Sequence, residues 1–284
     1  MDNSKRTNEE FLNDLIKTQK LLNSMILSVQ ANLSKEWLID LKLKGDKFIR
    51  PIRNPYYLRI YGHPYCPYVE RVRITLNEKN IPYQFCQIDF PSRPKWFQEL
   101  GSDNKSPILE LKNADDILYE SEPISYYIDK IEKGSRTILP SDPIDVCKTQ
   151  ILIKKQNDFI SEFYKLFKNS EDQEIYTNIK KILRFLDNFL SKNSENSFFF
   201  NNKLLGFADI FFIPHIRRVI LLKDSAYNNC YKNIEIESFT NIMKWYSKIF
   251  VIDAVQKVLI SENAFHKVMA DYKEKKTFSL TLDD

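Results

Sequence analysis

The chain has 284 residues, enough for two domains at ~150 residues each. Hydrophobic residues make up 43% and aromatic residues 13%, too apolar for a disordered chain. Lys and Arg number 42 against 38 Asp and Glu, and this balance leaves no electrostatic footprint for nucleic acid or an anionic membrane. The five glycines stand no closer than 17 positions (Gly45 and Gly62), which excludes a G-x-G-x-x-G dinucleotide turn and a phosphate loop. His63, His215 and His266 lack H-E-x-x-H spacing and no cysteine pair stands at C-x-x-C, so the usual zinc sites are excluded and no metal is expected. Cys66, Cys86, Cys147 and Cys230 are few and scattered, which suits a reducing compartment rather than a disulfide framework. With no signal-peptide core and no span long enough for a bilayer, the expectation is a soluble cytoplasmic protein.

Residues 1–55 read as a helical N-terminal extension. Between Phe11 and Val29, apolar residues such as Leu12, Leu15, Ile16, Leu22 and Ile26 recur at helical spacing. An alternation of types follows. Tyr56 to Tyr61 reads as a strand, 67–79 as a helix with Val69, Val72 and Leu76 on one face, and Tyr83 to Phe90 as a second strand. Pro107 to Leu111 and Ile117 to Tyr119 flank a hairpin turn at Asn113 to Asp116, and Ser121 opens a helix with Ile124, Tyr127, Ile128 and Ile131 on one stripe. Strand, helix, strand, hairpin, helix is the plan of a thioredoxin-like domain, placed at 56–132. A linker with Gly134, Pro140 and Pro143 precedes an all-helical domain at 143–272, and 273–284 reads as a tail.

Cys66 follows a strand and precedes Pro67, a residue favoured in the first turn of a helix. A sulfur there faces unpaired N–H groups and the positive end of the helix dipole, which favour thiolate over thiol. Arg71 and Arg73 could add positive potential, but the helix surface is their preferred reading. Position 69 is valine, so Cys66 has no resolving partner in the motif and would act by a monothiol route, forming a mixed disulfide that a second small thiol resolves. That route needs a thiol-binding site. Ser106-Pro107 opens a strand where a cis bond would turn the main chain of Ser106 towards a peptide ligand. Ser121 reads as a helix N-cap with Pro123 in the first turn, and this N-terminus together with Glu120 suits the zwitterionic end of a γ-glutamyl peptide.

On these residues the chain resembles the cytosolic glutathione transferases, and within them the omega class. Leu58 to Ile81, with Cys66-Pro67-Tyr68, is similar to the omega start, and Ile88 to Phe97 is similar to the stretch with a basic residue ahead of Pro-x-Trp-Phe, where Arg93 stands. Ser106-Pro107 and Glu120-Ser121 match the cis-proline and Glu-Ser motifs. Ala208 to Pro214 resembles the buried helix of the helical half, and Met243 to Trp245 the omega C-terminal region. Gly206 departs from the Ser/Thr expected there, which leaves half of a capping box missing and implies a less firmly anchored helix.

The resemblance implies a glutathione transferase fold and a glutathione-dependent thiol transferase with dehydroascorbate reductase activity. Cys66 would be the nucleophile, Arg93 would meet the glycine carboxylate, and Ser106 with Pro107 would present the main chain to the cysteinyl part. Glu120 and Ser121 would hold the γ-glutamyl end. Glutathione is the implied cosubstrate, a small oxidant or mixed disulfide the second substrate, and a homodimer the implied assembly. Tyr65 and Tyr68 read either as borders of the second-substrate pocket or as packing; His63, His215 and Trp245 read as structural. Two other classes compete. A non-enzymatic scaffold of the same fold, as in chloride intracellular channel proteins or elongation-factor subunits, would not need a complete glutathione site. A conjugating transferase would prefer a hydroxyl at position 66.

Overall fold

The computed structural model describes residues 41–43, 50–51, 56–89, 92–101, 103, 105–112, 116–131, 136–193 and 198–274. The helix expected between Phe11 and Val29, the hairpin turn at 113–115 and the last ten residues lie outside them. All described residues belong to one compact unit, Ile39–Asp284.

Five strands form one sheet in the order β1-β3-β2-β4-β5. These are β1 (Leu41–Leu43), β2 (Leu58–Gly62), β3 (Tyr83–Ile88), β4 (Ile108–Glu110) and β5 (Ile117–Tyr119). The pairs β1·β3 and β2·β3 are parallel, whereas β4 runs antiparallel to β2 and β5 antiparallel to β4. β1 lies inside the stretch read as helical extension, so a short edge strand replaces part of that expectation. Between the parallel strands runs α1 (Pro67–Glu78); α2 (Lys95–Gln98) follows β3, and α3 (Ser121–Ile131) follows β5.

The sheet buries its two faces differently. Leu58, Ile60, Tyr83, Phe85 and Leu109 pack with Val69, Val72 and Leu76 of α1 and Ile124 and Ile128 of α3. The opposite face carries Tyr61, Cys86, Ile88 and Ile108 with Phe97, and beside them a buried polar group. There the Tyr61 hydroxyl donates to Glu110 Oε2 (2.8 Å), and Arg59 donates to Gln84 Oε1 (2.9 Å) and Glu110 Oε1 (3.3 Å). Burial, with the Glu110 carboxylate beside it, pushes the Tyr61 hydroxyl up to about 12.

The helical half consists of α4 (Pro143–Leu166), α5 (Gln173–Leu190), α6 (Phe207–Leu221), α7 (Asn228–Ile234), α8 (Thr240–Ile249), α9 (Asp253–Gln256) and α10 (Glu262–Lys273). Their starts are written locally. Asp142 caps α4 by accepting from the N–H groups of Ile144 (2.8 Å) and Asp145 (3.1 Å), and Ser261 caps α10 by accepting from Ala264 N–H (3.1 Å). α5 carries one apolar stripe of Ile175, Ile179, Ile182, Leu183, Leu186 and Leu190, as its spacing predicts. α6 is buried almost all round and runs through the middle of this half. The anchoring expected to be weak at Gly206 is not. Glycine has no side chain to give, but Asp209 accepts from Gly206 N–H (2.8 Å), Phe199 N–H (3.2 Å) and Trp245 Nε1–H (2.7 Å). Trp245 is thereby structural. No helix among the described residues is long and apolar enough to cross a membrane.

Candidate active site

The site forms at the C-terminal end of β2, where the chain turns through His63, Pro64 and Tyr65 into α1. Gly62 is required there by close approach: a Cβ on it would lie 2.4 Å from Val69 Cγ2 and 3.3 Å from Ser106 Cβ. The turn is held by two hydrogen bonds, Cys66 N–H to His63 O (3.0 Å) and Tyr65 N–H to His63 Nδ1 (3.1 Å). Because Nδ1 accepts, the ring proton sits on Nε2. Burial pushes His63 down to about 4, with Arg93 pushing the same way and Asp89 opposing, so the imidazole is neutral.

Cys66 is the N-cap of α1, extended in backbone (φ −73°, ψ 120°), with Pro67 behind it and its side chain unused in capping. Its carbonyl accepts the first intrahelical bond, from Glu70 N–H (3.0 Å). The half-buried Sγ lies 3.8 Å from Ser106 O, across from the cis Ser106–Pro107 bond. The sulfur is thus placed between a helix N-terminus and the half-buried main chain of Ser106.

Glu120 and Ser121 lie at the start of α3, and here the expected cap shifts by one residue. Ser121 is the first helical residue, and Glu120 takes the position before it, its carbonyl accepting from Ile124 N–H (3.1 Å). Glu120 adopts a left-handed backbone (φ 69°), which costs a non-glycine residue on the order of 1 kcal/mol or more. Its exposed carboxylate lies 3.7 Å from Lys105 Nζ. Ser121 is buried, and its Oγ is 3.4 Å from Arg71 Nη1. Arg93, half-buried between β3 and α2, stands beside His63 and Asp89.

Two expectations are corrected on α1. Arg71 and Arg73 are not on the helix surface; they are 2% and 1% exposed. Arg73 lies over the Phe85 ring (4.3 Å) and donates to the Tyr83 hydroxyl (3.3 Å), whereas Arg71 points into the helical half. α1 lies between the sheet and α6, so Arg71 is covered by the helical layer and Arg73 by aromatic residues of the sheet, and helical periodicity reveals neither cover. Tyr65 stacks on Phe265 (6.0 Å) with Arg218 above its ring (5.1 Å), and Tyr68 meets the edge of His215 (5.8 Å). Both tyrosines pack against the helical half. His215, fully buried, is held neutral by burial and by the charges of Arg71 and Arg218. Sequence reasoning also missed Tyr164 of α4, whose hydroxyl burial pushes up to about 12 and which lies within the electrostatic reach of Cys66, Tyr68, Arg71 and Arg218.

A thioredoxin-like layer backed by an all-helical layer is the architecture of the cytosolic glutathione transferases. Comparison with known proteins agrees. The glutathione S-transferase N-terminal domain model matches residues 60–136. A probable glutathione transferase omega-2 of Caenorhabditis briggsae is 27% identical over 206 residues, which is 70% of this chain and 78% of that relative. Glutathione S-transferase U1 of Arabidopsis thaliana is 30% identical over 156 residues, 54% of this chain and 67% of that relative. Among solved structures, Leishmania TDR1, described as a unique trimeric glutathione transferase, matches with a TM-score of 0.69 at 14% identity. That match covers 77% of this chain and 48% of the other, so the chain spans about half the length of the Leishmania protein. The chain belongs to the glutathione transferase family and is omega-like within it. Its relatives in that family use glutathione as cosubstrate.

Proposed function

We propose that the protein is a glutathione-dependent thiol transferase with dehydroascorbate reductase activity, working through Cys66 alone. The observation that carries this reading is the position of the Cys66 sulfur, at the N-cap of α1 and 3.8 Å from the main-chain oxygen of Ser106. In the first half-reaction the Cys66 thiolate attacks the glutathionyl sulfur of a mixed disulfide. The Cys66–glutathione disulfide forms, the substrate's own S–S bond breaks, and the substrate leaves as a thiolate that takes a proton from water. In the second, a glutathione thiolate attacks the glutathionyl sulfur on Cys66, releasing glutathione disulfide and restoring the Cys66 thiolate. The net change consumes one free glutathione: the substrate leaves as a thiol, and glutathione disulfide joins that glutathione to the glutathionyl group the substrate brought.

In this reading Arg93 meets the glycine carboxylate of glutathione through a charge-assisted hydrogen bond. The main chain of Ser106, fixed by Pro107, pairs with the cysteinyl residue. Glu120 takes the γ-glutamyl ammonium, and the N-terminus of α3 with Ser121 takes its α-carboxylate. A cytoplasmic homodimer belongs to the same reading and rests on the family resemblance. The test is intact mass after incubation with glutathione disulfide, for the protein and for Cys66→Ala. One glutathione per chain is expected, absent from the variant and discharged by reduced glutathione. An equal adduct on the folded variant would sink the assignment.

A further inference from the structure

Arg71 is the fifth residue of α1 and is closed off from solvent. Its guanidinium meets only neutral partners. Nε donates to Phe211 O (3.2 Å), Nη1 faces Ser121 Oγ (3.4 Å), Nη2 faces His215 Nδ1 (3.5 Å), and the Phe211 and Tyr68 rings lie 4.6 and 5.0 Å from its carbon. Among the described residues no carboxylate is within ion-pair distance of it. One and a half turns away from Cys66, the fold thus keeps a buried cation with no carboxylate in contact among the described residues, the Cys66 and Glu122 side chains acting on it only at longer range. Burying an uncompensated charge costs several kcal/mol. The neighbouring Arg218, by contrast, is neutralised by Glu70 at 2.8 Å.

The groups around Arg71 come from every element packed on it: Cys66 and Tyr68 from α1, Ser121 and Glu122 from α3, Gln156 and Tyr164 from α4, and His215 and Arg218 from α6. Burial pushes the guanidinium down to about 10, which leaves it charged at neutral pH, and none of these groups adds a carboxylate contact. The Nδ1 of His215 faces donors from both Arg71 and Gln156, so the imidazole acts as a neutral acceptor and does not repel the cation. The Ser121 hydroxyl receives the guanidinium on a lone pair. Its single proton is then free to be given to another acceptor, and is polarised by the charge behind it.

We propose that Arg71 is a positioning residue of the glutathione site: its guanidinium is the buried countercharge for the γ-glutamyl α-carboxylate of glutathione, transmitted through the Ser121 hydroxyl. This rests on the reading of Glu120 and Ser121 as the γ-glutamyl subsite. It explains why the charge is buried without a partner, since the partner arrives with the cosubstrate. Arg71 does not touch glutathione; Ser121 does.

The experiment uses the full chain and compares glutathione with γ-aminobutyryl-cysteinyl-glycine, which is glutathione without its α-carboxylate. KM and kcat are measured for each thiol in the reduction of bis(2-hydroxyethyl) disulfide. A charge-assisted hydrogen bond of ordinary strength gives the wild type a KM roughly tenfold or more lower for glutathione than for the analogue. In Arg71→Met that preference falls to within about threefold, through KM rather than kcat, while Arg71→Lys restores it. A structural role for Arg71 would weaken both thiols alike, so an unchanged preference in folded Arg71→Met overturns the proposal. Should that variant not fold, Arg71→Gln, which keeps an amide donor without the charge, takes its place: an unchanged preference for glutathione in the folded Arg71→Gln chain overturns the proposal, and equal KM for the two thiols in the wild type overturns it as well. Failure of the proposed function is a different result, since it appears as no glutathione adduct on wild-type Cys66.

Discussion

Two buried cations, Arg71 within α1 and Lys79 at its C-cap, are treated in opposite ways. Lys79 Nζ is 3.2 Å from Asp129 Oδ1 and donates also to Asp129 O (3.1 Å) and Arg136 O (2.7 Å), which uses all three of its protons. Asp129 in turn accepts from the N–H groups of Ile138 (2.8 Å) and Leu139 (3.4 Å), so one neutral knot ties α1 and α3 to the segment leading into the helical half. Arg71 has its hydrogen bonds but no countercharge. The difference separates two uses of buried charge. At Lys79 the fold supplies both signs and the group is scaffold; Arg73, also buried without a carboxylate among the described residues, rests on the Phe85 ring and the Tyr83 hydroxyl, whereas Arg71 stands behind Ser121 in the proposed glutathione subsite.

Breaking the neutral knot has the largest expected effect. Asp129→Ala leaves the Lys79 ammonium buried without its countercharge and two backbone donors without their acceptor, a loss of about 3–5 kcal/mol. Urea unfolding followed by tryptophan fluorescence reads it, and a loss below ~1 kcal/mol would show that water or a side-chain shift repairs the knot. Asp209 is a second knot and is sensitive to pH. Burial outweighs its hydrogen bonds from Trp245, Gly206 and Phe199 and pushes its carboxyl up to about 7. A folded value above the unfolded one favours the protonated form. The stability this group contributes is therefore complete below ~3.8 and is lost as pH rises through about 7. His63, held down near 4, acts the other way and loses stability as pH falls below ~6.5, so the wild-type curve alone mixes the two. The difference between wild type and Asp209→Asn isolates the carboxyl: it should shift by about 2–3 kcal/mol against the wild type between pH 5 and 8.

Much of the site was legible because its signals are local. Pro67 after Cys66, Pro107 after Ser106 and the Glu120–Ser121 pair each announce a helix start or strand entry within two or three residues, and the structure places them there. What was not legible is long-range. Arg71 and Arg73 read as surface residues because periodicity reports one apolar face, Val69, Val72 and Leu76, and is silent on the helical layer that covers Arg71 and on the sheet aromatics that cover Arg73. The partners of His215 are 144 and 59 positions away. The three residues of β1 are too short to carry an alternation, and only pairing with β3 makes them a strand. At Gly206 the local rule misled: the missing side chain implied a loose helix, but the donors that tie Asp209 to Trp245 and Phe199 lie outside the capping motif.

Gly62 sharpens the comparison from the backbone side, since it sets how closely the start of α1 approaches the sheet. Gly62→Ala puts a methyl 2.4 Å from Val69 Cγ2, and the neighbour there is the wall of the helix start rather than a flexible tip. The expected loss is about 1–3 kcal/mol. Val69→Ala in the same chain removes the clashing methyl, so the double variant should be more stable than the two single losses add up to. Strict additivity would mean that the strand end, not the helix, gives way.

The smallest expected change in stability is the one that bears most directly on the comparison. Arg71→Met removes a buried charge that no carboxylate among the described residues pairs with, and it keeps most of the apolar stem that lies against Tyr68 and Phe211. Phe211 O retains the Gln156 amide as a donor, so the substitution strands no carbonyl. Replacing a buried ion by an apolar group of similar size is often neutral or stabilising, and the variant should unfold within ~1 kcal/mol of the wild type. The matching substitution at the other end of the helix, Lys79→Met, strands the Asp129 carboxylate and should cost about 3–5 kcal/mol. Equal losses at the two positions would mean that the missing countercharge at Arg71 has no energetic consequence. The division between scaffold charge and site charge would then fall.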